Sequence, residues 1–107
     1  MPETNAPTID EALRYLGIDY PDEVVTANVN RALATANETL AGAVGADVWE
    51  LIPDSSRAKE LVLIYLDDLY SNRGVSAKVS NAVRLSVQTM ELQLRLELRT
   101  LRKEAGA

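Results

Sequence analysis

The chain has 107 residues, 47% of them hydrophobic, and a formal charge of −5; that is the length of one domain, with material for a real core. It contains neither Cys nor His, which excludes a disulfide framework, a thiolate metal site, the commonest general base and the commonest transition-metal ligand. The acidic balance also argues against a general nucleic-acid binder, which carries a basic footprint.

Phe is absent, so the core must be built from Leu, Val, Ala and Ile, and with few Gly and Pro this favours helices over sheets. The charge is uneven. Residues 1–60 hold eleven acids against four bases, a balance of −7, while 61–107 hold five acids against seven bases, a balance of +2. Such asymmetry points to self-complementary faces or two different partners, against the plainer reading of ordinary solvated helix surfaces. The start, MPETNAPTID, has neither a basic n-region nor an apolar h-region, so no signal peptide is expected and a cytoplasmic origin is the default.

Residues 1–7, with two prolines and no periodicity, read as a flexible arm, disordered or docked. Thr8 and Glu11 then have the spacing of a capping box, in which each side chain satisfies a backbone donor of the other. Ile9, Leu13 and Leu16 form one stripe, Gly17 sits where a left-handed C-terminal cap is wanted, and Ile18 can fold back on Leu13. The spacing predicts a first helix over Ile9–Leu16. Asp19 is the next cap candidate, with Pro21, Asp22 and Glu23 in the first turn. Val25, Val29, Ala32, Leu33, Ala36, Leu40 and Val44 recur on one helical face, which predicts a long amphipathic helix over Pro21–Val44.

Gly45 to Asp54 reads as a loop with unusual apolar content in Val48, Trp49, Leu51 and Ile52. Two readings stand for Trp49 and Ile52: a lid on the bundle, or anchors against a neighbouring subunit. Asp54 or Ser55 then caps a central helix over Ala58–Gly74. Leu61 to Leu66 is apolar without a break, so this helix needs cover on every side. Six such residues are far too few for a membrane span, which takes ~20. The central helix belongs in a bundle.

Residues 79–103 carry two periodicities. Val83, Val87, Met90, Leu94, Leu98 and Leu101 follow helical spacing, while Leu92, Leu94, Leu96 and Leu98 alternate like a strand. Leu, Glu, Gln, Arg and Met are helix formers, no β-branched residue lies between Leu92 and Arg99, and Glu91 pairs with Arg95 at i, i+4. The segment is predicted to be helical. Leu85, Leu92 and Leu96 then fall off the main stripe, and a helix apolar on two faces outruns the core of one small bundle. The C-terminal half is therefore expected to pack on another chain, with Leu92, Arg95, Leu96, Arg99 and Arg102, together with Trp49, as candidate interface residues. Together these readings give an all-α fold: one domain over 8–103, four helices, 79–103 as an assembly helix, and a tail at 104–107.

Chemistry is sparse. Asp67 and Asp68 are adjacent, and successive helical residues diverge by about 100°, so they do not converge on a proton or a metal ion. No Gly-rich phosphate loop, nucleophile elbow or metal-spaced set of ligands occurs. No enzymatic activity and no cofactor are expected.

The order of these segments resembles the bacteriophage head–tail connector (head-completion adaptor) family. The resemblance rests on the short first helix, the acidic turn IDYPDE opening a long helix, and the apolar helix LVLIYLDDLYSNRG with its aromatic-x-Asn-Arg ending at Tyr70, Asn72, Arg73 and Gly74. It covers Ile9 to Arg99. It implies a small helical subunit without catalytic activity, found in the virion neck and made in the host bacterial cytoplasm. Copies form a ring beneath the portal protein, join it to the next neck or stopper protein, and surround the DNA channel without sequence-specific contact to nucleic acid or any membrane. The chain departs from members that end in a hairpin or short tail, having instead a long Leu/Arg-rich helix. The competing reading is a helical regulatory module, of antitoxin or anti-regulator type, that docks one partner through that helix. A third, a helix-turn-helix DNA binder, rests only on the basic Arg84–Lys103 segment and is opposed by the net charge.

Overall fold

The computed structural model describes residues 4–71 and 81–105. It is all-α, with α1 Ile9–Tyr15, α2 Glu23–Val44, α3 Val48–Leu51, α4 Ser56–Ser71 and α5 Asn81–Ala105. The Asn72, Arg73 and Gly74 part of the aromatic-x-Asn-Arg motif lies outside the described residues.

Local chemistry sets the helix ends. The Glu11 N–H donates to Thr8 Oγ1 and the Thr8 N–H donates to Glu11 Oε1, both at 3.1 Å, completing the capping box of α1. At the other end Gly17 takes φ +76°, and the Ile18 N–H donates to the Leu13 carbonyl while the Gly17 N–H donates to Arg14. That is the paired bond pattern of a Schellman cap, with Ile18 returned to the core as its spacing predicts. The cap of α2 is Asp22, not Asp19: its Oδ1 accepts the Val25 N–H at 2.8 Å, and the helix starts at Glu23. Pro21 explains the shift, because it biases Tyr20 away from helical geometry and so forbids a helix already running at that point. Ser55, the second of the two candidates, caps α4 by accepting the Ala58 N–H.

Where a loop was expected, Val48–Leu51 forms the short helix α3. Val48 is buried and Trp49, Leu51 and Ile52 are half-buried against the core. Apolar residues carried into a core drag their backbone with them, and one helical turn satisfies that backbone: the Leu51 and Ile52 N–H groups donate to the Asp47 and Val48 carbonyls.

The core forms mainly between α2 and α4. Val29, Ala36 and Leu40 of α2 and Ala58, Leu61, Val62 and Leu66 of α4 have no exposed surface. Ala12 and Leu13 of α1 close one side, and Leu94 and Leu98 of α5 close another. The cover on α4 is incomplete: Ile64 and Tyr65 are half-buried, at the edges of the sector that its neighbours enclose. Cα extents of 49 × 37 × 17 Å describe a flat slab, two helix layers thick.

The N-terminal residues 4–7 dock on this slab. The Asn5 N–H donates to the Pro53 carbonyl at 2.6 Å, Lys59 Nζ donates to Asn5 Oδ1, and Pro7 is buried. Lys59 also pairs with Glu11, which ties the arm, α1 and α4 together at one point. The Lys59 ammonium and the Thr8 N–H hold the Glu11 carboxyl below the usual carboxylate range.

Candidate functional site

Helix α5 has 25 residues, which makes it about 38 Å long. Its register against the rest of the chain follows from three polar contacts. Tyr65 Oη donates to Glu91 Oε1 at 2.7 Å, Arg57 pairs with Glu97 at 3.8 Å, and Arg102 Nε donates to Asp47 Oδ2 at 2.8 Å. Rising numbers on α5 meet falling numbers on α4, so the two helices are antiparallel.

Seen down the axis, at about 100° per residue, α5 has two apolar faces. Leu94 and Leu98 are completely buried, with Val87, Met90 and Leu101 half-buried beside them. Leu85, Leu92 and Leu96 fall within about 40° of one another and about 180° from Leu94; they are 62%, 52% and 53% exposed. The strand-like alternation in the sequence is the trace of these two opposed stripes. Arg99 and Lys103 continue the outer stripe toward the C-terminus, and neither has an ion-pair partner among the described residues. The outer face is therefore a leucine row ending in two cations.

The C-terminal half of this helix, expected to pack on another chain, is partly taken up by its own. Leu94 and Leu98 sit in the chain's own core, on the side of α5 that meets α2 and α4. The exposed apolar surface belongs to one face of α5, not to one half.

The six candidate interface residues are not equivalent. Leu92, Leu96 and Arg99 are exposed on or beside the outer stripe. Arg95 is exposed and pairs with Glu91 one turn back, as its spacing predicts. Arg102 is engaged within the chain: besides the Asp47 carboxylate, its Nη2 donates to the Val44 carbonyl at 3.1 Å. It thereby satisfies a C-terminal carbonyl of α2 and fastens the end of α5 to the end of α2. The Arg102 guanidinium holds the Asp47 carboxyl below its ordinary range, and the carboxylate raises Arg102 in turn. Trp49 is half-buried against the core, on the short helix α3.

Two features that sequence spacing did not single out bear on the site. Tyr65 and Glu91 are 26 positions apart and nothing local links them; burial and the Glu91 carboxylate together push the Tyr65 phenol well above its usual range. The second is the corner between α1 and α2, where Tyr20 is 97% and Val24 68% exposed amid Asp19, Asp22 and Glu23. A signal for it existed. Val24 falls about 140° from the centre of the apolar stripe of α2, and Tyr20 is a large ring inside an acidic turn.

Asp67 and Asp68 lie on the exposed side of α4. Among the described residues no three acids gather as a metal-holding group, and no helix is long and apolar enough to cross a membrane. A depression of about 500 Å³ between Leu51–Arg57 and Glu97 is open to solvent. Compared with known protein families, curated proteins and solved structures, the chain finds no match in any of the three.

Proposed function

We propose that this chain is a non-enzymatic structural subunit of a phage or prophage neck, one of a ring of copies that joins the portal to the next connector component around the DNA channel. The observation that carries this reading is the second apolar face of α5. A row of three leucines more than half exposed, on a helix whose opposite face already completes the core, is surface made for another protein. The order of the IDYPDE turn and the LVLIYLDDLYSNRG helix supplies the kind of assembly, through the connector resemblance. The acidic balance of the chain suits a channel lining, because a wall that held phosphates would hinder the passage of DNA.

The same face would also serve a regulatory module that binds one protein one-to-one, and neighbouring genes separate the two: portal and capsid genes on one side, a toxin or regulator gene on the other. The direct test is electron microscopy of the purified protein, alone and mixed with portal rings. A ring of copies seated on the portal is the expected result. A stable one-to-one complex with another partner, and no affinity for portal rings, overturns the proposal.

A further inference from the structure

We infer that copies of this chain join head to tail, the outer stripe of α5 on one copy seating on the Tyr20–Val24 corner of the next. The inference deepens the proposed ring and rests on it for its biological setting, but its geometry comes from two surfaces that one copy cannot bring together.

The first surface is the row Leu85, Leu92 and Leu96 that ends in Arg99 and Lys103. The second is the corner before α2, where a nearly fully exposed tyrosine and an exposed valine each follow an exposed acid, Asp19 and Glu23. Apolar area faces apolar area, and cations face anions. Asp22 adds charge to the corner while its Oδ1 stays with the helix cap.

Within one copy the cationic end of the stripe cannot meet the acids of the corner. Arg102 fastens the end of α5 beside Val44 and Asp47, at the C-terminal end of α2, whereas Tyr20 lies before its N-terminal end. Between them runs a 22-residue helix, about 33 Å of rigid separation. Complementary patches held apart on one subunit are satisfied only by neighbours, and repetition of that contact closes a ring or grows a filament. Two α5 faces pairing with each other would lack charge balance. Glu91 and Glu97 are already held by Tyr65, Arg95 and Arg57, which leaves Glu104 alone beside Arg99 and Lys103, so the shared surface would gather an excess of cations.

The decisive experiment mixes two variants, each lacking one patch. Tyr20→Ser/Val24→Ser removes the corner, and Leu92→Ser/Leu96→Ser removes the stripe; all four side chains are at least half exposed, and circular dichroism confirms each variant's fold. Wild-type protein sediments as a concentration-dependent series beyond the dimer. Each variant alone weakens association by at least about tenfold, and the equimolar mixture forms a dimer that grows no further, because only one intact contact is available. A second pair checks the charges without touching apolar groups. Asp19→Lys/Glu23→Lys and Arg99→Glu/Lys103→Glu each fail to associate alone, and association returns when they are mixed.

The inference is overturned if the corner variant alone still dimerises as wild type does, if the mixture stays monomeric while wild type associates, or if wild type is monomeric up to ~1 mM. Binding to portal rings separates this from the connector reading. Full rings built equally well by both variants remove the head-to-tail contact and leave the connector. Dimers from the mixture without any affinity for portal rings do the reverse.

Discussion

Replacing single leucines of α5 by alanine isolates the two faces of the helix, because the chemistry and the helix propensity stay the same and only the surroundings differ. Leu94 has no exposed surface; its truncation leaves a cavity in the core that α5 closes, and such changes cost about 2–5 kcal/mol. Leu96 lies two residues on and is 53% exposed. Full burial of a leucine is worth about 1.5–3 kcal/mol, so a half-exposed one contributes roughly half of that. Alanine's helix preference offsets part of the loss, which leaves a cost of about 1 kcal/mol or less for Leu96→Ala. Urea melts followed by helical circular dichroism at low micromolar protein, where association is weakest, read the difference. With an m-value of about 1–3 kcal/mol/M, the Leu94→Ala midpoint falls by roughly 1–3 M and the Leu96→Ala midpoint by well under 1 M. Equal losses at the two sites would refute the two-faced helix, and with it the surface on which the proposed function rests.

Three further outcomes follow from particular contacts. Tyr65→Phe removes the hydrogen bond to Glu91 and costs about 1.5–3 kcal/mol, the range for a bond to a charged group. Because the folded phenol titrates above its unfolded value of about 10, its contribution is complete below pH ~10 and is lost as pH rises beyond it; the urea midpoint of wild type falls above that pH, and Tyr65→Phe flattens the fall. An unchanged alkaline slope would show that Tyr65 is not its source. On the acid side, Glu11 and Asp47 have lowered folded values, so their contributions are present above the ordinary carboxylate range and vanish as pH drops through it. Glu11→Gln and Asp47→Asn each make the melting temperature less sensitive to acid between about pH 5 and 2, and a double variant as acid-sensitive as wild type contradicts both assignments. Gly45→Ala places a methyl group against the Arg102 guanidinium at a backbone φ of +130°, in a region that is essentially glycine's alone. The cost is about 1–3 kcal/mol, and a thermal melt identical to wild type would mean that the α2–α5 fastening does not have this geometry.

Much of the fold was legible in the sequence because its signals are local. The Thr8–Glu11 box, the Gly17 cap and the stripe from Val25 to Val44 each depend on residues a few positions apart, and the structure places all three where the spacing puts them. Helix propensity also resolved the Leu92–Leu98 alternation correctly. Local signals went astray where two of them competed: Asp19 and Asp22 are both good caps, and only the restraint of Pro21 on Tyr20 separates them. At Val48–Leu51, Gly45 and Pro53 marked a loop, yet burial of Val48 imposed a turn of helix. The leucines off the main stripe of α5 were legible too, because helical spacing alone sets Leu85, Leu92 and Leu96 opposite Leu94.

The sequence by itself determined that this protein is a helical bundle with more apolar surface than one bundle needs, since periodicity and composition are properties of neighbouring residues. Only the tertiary structure decided which residues of α5 are spare. Arg102 and Arg99 are alike in sequence, but the antiparallel path along α4 brings one to Asp47 and leaves the other facing outward. Tyr20 and Val24 acquire meaning the same way, as the acidic corner held one helix length from the basic stripe. Contacts across 26 or 55 positions depend on where whole helices lie, and no local pattern encodes that.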